Sequence, residues 1–431
     1  MSQVNVGLCG LGTVGTGVVK LLTGHADEIK YKVGSEIQIK KILVNDLDKK
    51  RDVAINRDWL TTDPEELVSN PEIDVIIEVM GGIDDTNILL EKAIRNKKHV
   101  VTANKDLMAI HGPKLLKLAK DNKCDVFYDA SVAGGIPIIR PLTEGLASDK
   151  IQKIMGIVNG TTNYILTKMS DEGLDFDTVL QEAQELGFAE ADPTADVDGL
   201  DAARKMTLLA NLAFKMEIDL DDVEVTGIRS ITQEDIAFAT SLGYTIKLIG
   251  NASIYDGKAE VTVEPTLLPK DHPLALVKNE FNAVYVYGKA VGETMFYGPG
   301  AGSLPTATAV VSDLMAVVKN IRLETTGTEY ITPQYEKQLK QDDEKYMQYF
   351  IRMEVDDAAG TFQKITNVFT DENVSFQKIL QLPSVKEKTA QIVMVTHKIS
   401  KQQLVNSQEN LKRLDVVNEI ISCYRVDGEE Q

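Results

Sequence analysis

A short apolar run, Val4 to Leu8, passes directly into Gly10-Leu11-Gly12-Thr13-Val14-Gly15 and then into a helical stretch reaching Leu22. This strand–G-x-G-x-x-G–helix order constrains the fold more than any other feature of the chain. Gly10 permits the tight turn, Gly12 lets the backbone approach a pyrophosphate, and Gly15 lets the helix pack on the strand. The helix start then offers free N–H groups and a positive dipole end to phosphate. The alternative is a tight turn with no ligand. The strand before the glycines and the helix after them favour dinucleotide binding through Gly10, Gly12, Thr13, Val14 and Gly15.

Apolar segments keep alternating with helical ones beyond this point. A second strand, Ile37 to Val44, follows a stretch from Gly24 to Glu36 that reads as an inserted loop. It ends in Asn45-Asp46. An acid there commonly holds a ribose hydroxyl of NAD, whereas a base accommodates the phosphate of NADP. Asp46 favours the first, and Lys49, Lys50 and Arg51 the second, so both cofactors stay open. Ile73 to Val79 is a bounded apolar strand ending at Met80-Gly81-Gly82. Thr86 to Arg95 reads as helix, His99 to Thr102 as strand, Pro113 to Lys120 as helix and Val126 to Tyr128 as strand. Such alternation implies an α/β, Rossmann-type, doubly wound parallel sheet, with ligands at the carboxyl ends of its strands. Lys105 stands at one such end. It either meets substrate or cofactor or is a surface lysine at a helix start.

The second strong feature is the stretch from Gly187 to Lys205. It crowds Glu190, Asp192, Asp196, Asp198 and Asp201 into a loop and helix start, with Lys205 one turn beyond Asp201. Carboxylates at that density repel unless a cation meets them. A substrate ammonium handled beside a proton-donating lysine would fit. The alternative is a solvated acidic loop before a helix with an i,i+4 Asp–Lys pair.

Composition bounds the remaining classes. The 431 residues suggest about three domains of roughly 150 residues each. The net charge of −19 argues against nucleic-acid backbones and anionic membranes as partners. The 3 cysteines are far apart, so no disulfide framework is expected. No basic segment followed by an apolar run reads as a signal peptide, and no apolar run approaches the ~18 residues of a membrane span. A reducing cytoplasm is the expected location. The isolated histidines make no zinc pattern, and neither a nucleophile elbow nor a Walker A loop occurs.

Five further motifs share one order with the glycine turn: T-A-N-K (Thr102 to Lys105), S-V-A-G-G-I-P (Ser131 to Pro137), N-G-T-T-N-Y (Asn159 to Tyr164), the acidic motif ending at Lys205, and G-P-G-A-G-S-L-P-T-A (Gly298 to Ala307). In that order, over nearly the whole chain, the sequence resembles the homoserine dehydrogenases. The resemblance implies interconversion of L-homoserine and L-aspartate 4-semialdehyde with NADP or NAD, in threonine, methionine and isoleucine biosynthesis. By motif position, Lys205 resembles the family's proton-donating lysine and Lys105 its second active-site lysine, near cofactor and substrate. Glu190 and Asp201 resemble substrate-binding carboxylates, Asp196 a member of the catalytic hydrogen-bond network, and Gly187 and Gly302 cofactor-contacting glycines. The S-V-A-G-G-I-P loop resembles a sodium site built largely from backbone carbonyls of Val132, Gly134 and Ile136, plus the acidic residue Asp129. Asp129 stands where the family usually has the longer glutamate. Many members carry arginine where Asn45 stands.

The C-terminal segment reads as strand Tyr349 to Val355, helix Thr361 to Asp371, strands Ser375 to Gln381 and Ala390 to Val395, helix Lys401 to Leu411 and strand Glu419 to Tyr424. This β-α-β-β-α-β order is ferredoxin-like. It resembles an ACT domain, which implies L-threonine or a related amino acid bound near the turn Asp357 to Gly360; the alternative is a dimer-building module without ligand. The expected domains are 1–130 with a returning helix 303–322 for dinucleotide, an α+β catalytic and dimerisation domain at 131–302, a linker at 323–347 and the ACT-like domain at 348–427. A homodimer or homotetramer is expected from the resemblance. Two other functions stay open: a sensor that binds cofactor and amino acid without catalysis, and another amino-acid-linked dehydrogenase.

Overall fold

The computed structural model describes residues 3–327, 333–384 and 386–428. Residues 328–332 of the expected linker lie outside them. The chain divides into two compact units: Met1–Ile154, Arg204–Leu220 and Asn282–Glu336 in one, and Met155–Ala203, Asp221–Phe281 and Lys337–Gln431 in the other.

In the first unit, β1 (Gln3–Cys9), β2 (Glu36–Leu43), β3 (Leu60–Thr61), β4 (Val75–Glu78), β5 (His99–Thr102) and β6 (Val126–Phe127) form one sheet. Their order is β3-β2-β1-β4-β5-β6 and all neighbours are parallel. The order reverses between β1 and β4, the switch point at which doubly wound folds bind dinucleotides. Every residue of β4 and β5 is buried, as the continuous apolar runs require of strands covered on both faces.

The connecting helices are α1 (Thr13–Gly24), α2 (Ala26–Val33), α3 (Glu65–Val68), α4 (Asp84–Arg95) and α5 (Lys105–Asn122). Two of them correct the sequence reading. The stretch from Gly24 to Glu36 holds a helix, α2, whose Ile29 and Val33 are buried in the core, so it is not a loop. And α5 begins at Lys105, with Pro113 inside it. Asn104 caps this helix, its Oδ1 accepting from Leu107 N at 3.1 Å. That cap outweighs the tendency of a proline to mark a helix start.

A returning helix, Ser303–Leu323, adds Val310, Leu314, Val317 and Val318 to the core that Val6, Leu8, Val18 and Ile42 also build. A Cβ at Gly17 would lie 2.5 Å from Ser303 O, so this helix presses directly on α1.

The second unit contains the helices Gly160–Glu172, Phe176–Glu185 and Gln233–Ser241. A long hairpin pairs Tyr244–Tyr255 with Lys258–Pro269 through a two-residue turn. Asp256 (φ 49°) and Gly257 (φ 81°) make that turn, as a type I′ geometry requires. The C-terminal segment runs strand Tyr346–Asp356, helix Thr361–Asp371, strands Phe376–Pro383 and Thr389–Thr396, helix Lys401–Leu411 and strand Val417–Val426. Its last strand lies beside its first, then its third, then its second, all antiparallel. That is the ferredoxin-like arrangement, with its own core around Ile351, Phe369, Ile392 and Leu411.

Cys9, Cys124 and Cys423 are free. No helix among the described residues is long and apolar enough to cross a membrane.

Candidate active site

The glycine turn has the expected geometry. Gly10 has φ +102°, and a Cβ there would lie 2.9 Å from Val79 O. At Gly15 a Cβ would lie 2.2 Å from Gly10 O, so only glycine lets the helix start sit on the turn. Gly12 differs, because a Cβ there meets nothing within 4 Å. No protein neighbour demands glycine at that position. Gly302, at φ +125°, precedes the returning helix, and Ser303 Oγ donates to Thr13 O at 2.7 Å. The two glycine segments, at 10–15 and 302, are therefore joined. Asp46 folds onto its own loop, its Oδ1 accepting from Asp48 N at 2.8 Å and Lys49 N at 3.2 Å. Arg51 donates to Lys49 O at 2.8 Å and also bonds Asp46 O.

The carboxyl ends of β4 and β5 are tied by a residue that the sequence reading did not single out. Glu78 is fully buried. It accepts from Met80 N at 2.8 Å, Gly81 N at 3.0 Å and Thr102 Oγ1 at 2.5 Å. Burial pushes its carboxyl up, against these hydrogen bonds. Thr102 Oγ1 accepts from Asn104 N at 3.0 Å, and Asn104 Nδ2 donates to Gly82 O at 2.7 Å. Lys105 follows as the first residue of α5. The available signal was an acid, Glu78, inside the apolar run from Val75 to Met80, since acids are rarely buried unless they are paired.

The S-V-A-G-G-I-P loop is pressed against a second segment. A Cβ at Gly134 (φ +52°) would lie 2.1 Å from Gly300 O. Asp129 is buried, and its Oδ1 accepts from Ile138 N at 3.2 Å and Ile139 N at 2.7 Å. Its own N–H donates to Asp313 Oδ2 at 2.8 Å. Burial raises both carboxyls, and the facing Asp129 helps push Asp313 up to about 8, while Arg140 at 3.5 Å opposes this. Asp313 is another residue without a sequence signal. It lies mid-helix and meets Asp129 only through the fold. Among the described residues, the carbonyl oxygens of Val132, Gly134 and Ile136 accept no backbone hydrogen bond.

In the second unit, Asn159 organises the acidic motif. It caps the helix Gly160–Glu172, its Oδ1 accepting from Thr162 N at 2.9 Å. Its Nδ2 donates to Asp196 Oδ1 at 2.7 Å and Asp201 Oδ2 at 2.9 Å. Asp201 is buried, Asp196 half-buried and Glu190 exposed. Asp192 instead caps its own turn through Thr194 N, and Asp198 pairs with Arg229. Gly187 (φ +77°) follows the helix Phe176–Glu185. The helix Leu200–Phe214 carries Asp201 in its first turn and the half-buried Lys205 one turn later, where, from Arg204 onward, the chain belongs to the first unit. Near the C-terminus, Gly360 (φ +91°) precedes the helix Thr361–Asp371, and Asp357 N donates to Lys388 O at 2.9 Å.

A doubly wound sheet with this glycine turn at its switch point is the scaffold of a nicotinamide-nucleotide-dependent oxidoreductase. Comparison with known proteins agrees. Residues 10–129 match the family model described as homoserine dehydrogenase, NAD binding domain, and residues 137–315 the one described as homoserine dehydrogenase. A homoserine dehydrogenase from Bacillus subtilis is 58% identical, with 99% of each chain covered. One from Synechocystis is 41% identical, covering 98% of this chain and 99% of its own. A crystal structure of the Thiobacillus denitrificans homoserine dehydrogenase is 38% identical with a TM-score of 0.94, covering 99% of both chains. A hyperthermophilic archaeal homoserine dehydrogenase in complex with NADPH is 28% identical with a TM-score of 0.62, covering 75% of this chain and 98% of its own. The chain belongs to the homoserine dehydrogenase family.

Proposed function

We propose that the chain interconverts L-homoserine and L-aspartate 4-semialdehyde, with Lys205 as the proton donor and acceptor. The observation that carries this is the first turn of the helix Leu200–Phe214. Asp201 is held there beside Asp196 by one amide, and Lys205 follows at the spacing that puts it on the same helical face. When bound, the nicotinamide supplies the hydride to the aldehyde carbon or takes it from the alcohol. The lysine ammonium stabilises charge developing on the oxygen and delivers the proton. Lys105 is the second ammonium, near cofactor and substrate. Glu190 and Asp201 bind the substrate and pair with its ammonium, and Asp196 belongs to the catalytic hydrogen-bond network.

Gly10, Gly12, Thr13, Val14, Gly15, Gly187 and Gly302 are the cofactor contacts in this reading. The openness around Gly12 supports it, since a ligand is what would need glycine there. Asp46 engaged with its own loop, and Arg51 beside it, leave NAD and NADP both in play. A sodium ion fits the loop from Asp129 to Ile136. Buried carbonyls lacking hydrogen-bond donors, beside a buried carboxylate, suit a hard cation. The ferredoxin-like segment supports an ACT-type module that takes L-threonine at the Asp357 to Gly360 turn. The proposed domains are 1–130 with 303–322, 131–302 and 348–427, joined by a linker at 323–347, in a cytoplasmic homodimer or homotetramer serving threonine, methionine and isoleucine biosynthesis.

The test is NAD(P)H formation from L-homoserine at alkaline pH, comparing NAD with NADP, each with and without sodium and threonine. Failure to form reduced cofactor under all conditions refutes the catalytic reading and leaves a binding protein. Threonine that neither inhibits nor binds leaves the C-terminal module structural.

A further inference from the structure

The two lysines of the proposed chemistry lie on different helices of the first unit, and their sequence neighbours meet. Arg204 Nε, one residue before Lys205, is 3.3 Å from Asp106 Oδ1, one residue after Lys105. We propose that this ion pair is a positioning clasp that sets the separation of Lys105 and Lys205. The proposal rests on the reading of those lysines as active-site groups.

Two features make the pair decisive for spacing. The first is anchoring. Asn104 fixes the start of α5 through Leu107 N and Gly82 O, and the Thr102–Glu78 bond fixes Asn104 in turn. The Lys105 end of the clasp therefore cannot drift on the sheet. The second is the packing behind it. Close-packed side chains normally set the distance between helices. Here a cavity of about 70 Å³ lies between α5 and the helix Leu200–Phe214, lined among others by Met108, Gly112, Leu116, Leu208, Leu212 and Met216. Apolar contact between the two helices is incomplete at that level, and the ion pair bridges them about one turn nearer the lysines.

The pair is partly exposed, with side-chain exposures of 28% for Arg204 and 36% for Asp106. Such a pair adds little to stability. Its expected weight is on geometry, where a misplacement of about 1 Å costs on the order of a hundredfold in rate.

The experiment is a double-mutant cycle on the full chain with Arg204→Met, Asp106→Asn and their combination. Turnover, KM for each substrate and thermal midpoint are read for all forms. The clasp predicts that each single variant loses about ten- to a hundredfold in kcat, with KM for the dinucleotide and the midpoint near the parent's. It predicts that the double variant loses no more than either single one, because the two act as a unit. Parent-like kcat in the single variants overturns the proposal. So do losses that multiply in the double variant, and so does a loss that tracks a fall in midpoint. Lys205→Ala, run alongside, keeps the two questions apart. Activity surviving there refutes the lysine assignment, whereas activity lost there but unaffected in the cycle refutes the clasp alone.

Discussion

Asn159 donates to Asp201 at 2.9 Å and so joins the cap of one helix to the first turn of another. The same amide nitrogen holds Asp196 at 2.7 Å, which keeps two carboxylates together that would otherwise repel. Replacing Asn159 with Ala removes a helix cap and the bridge at once. The cap is worth about 1 kcal/mol, and freed carboxylates bind a substrate ammonium less well. We expect a loss of that size in urea unfolding and a rise of about tenfold or more in KM for L-homoserine. An unchanged KM would leave Asn159 a cap and nothing else.

Lys205→Ala tests the proton transfer. General acid–base groups contribute about 10²- to 10⁴-fold, and Lys205 is only half-buried, so its replacement is expected to leave the fold intact. The expected outcome is a kcat reduced by about a thousandfold with an unaltered far-UV circular dichroism spectrum.

The glycine turn offers a contrast between ligand and fold. At Gly12 an added methyl meets no protein atom within 4 Å, whereas at Gly15 it meets Gly10 O at 2.2 Å. Gly12→Ala is expected to keep the parent's thermal midpoint and to raise KM for the dinucleotide. Gly15→Ala is expected to lower the midpoint. Equal effects on both quantities in both variants would contradict this division.

Lys247 makes stability depend on pH. It is 2% exposed and donates to Asn163 Oδ1 at 2.9 Å and Val277 O at 2.6 Å. Burial pushes it down from 10.5 to about 8. Below about pH 8 both folded and unfolded chains carry the proton, and the burial cost is present in full, on the order of 3 kcal/mol. Between about pH 8 and 10.5 the unfolded chain holds more protons, so stability rises with pH. Lys247→Met removes both the hydrogen bonds and the titrating group, so the variant lacks this rise in stability with pH. Unfolding free energies of parent and variant should therefore diverge in the parent's favour from pH 8 upward, and a constant difference would exclude the effect.

Much of the first unit was legible because its signals are local. An apolar run of strand length, a glycine that needs φ +102° and a helix that follows it depend on neighbours in sequence. The ferredoxin-like segment was legible for the same reason, with the helices Thr361–Asp371 and Lys401–Leu411 matching their sequence bounds. The long hairpin from Tyr244 to Pro269 was not picked out, although its Asp256-Gly257 dipeptide is a strong turn signal. The helix α2 was missed because its mean polarity resembles that of a loop, and its two buried residues become core only once the returning helix covers them.

Most strands and helices of the cofactor sheet and the ferredoxin-like segment, the glycine turn and the acidic motif with its lysine were determined by the sequence itself, since each depends on residues within a few positions of one another. The tertiary structure alone decided which acids are engaged by which partners. Asp196 and Asp201 share Asn159 across about forty residues, Asp129 faces Asp313 across 184, and Arg204 meets Asp106 on another helix. Burial, hydrogen bonding and ion pairing are set by distance in space, and no spacing along the chain encodes it.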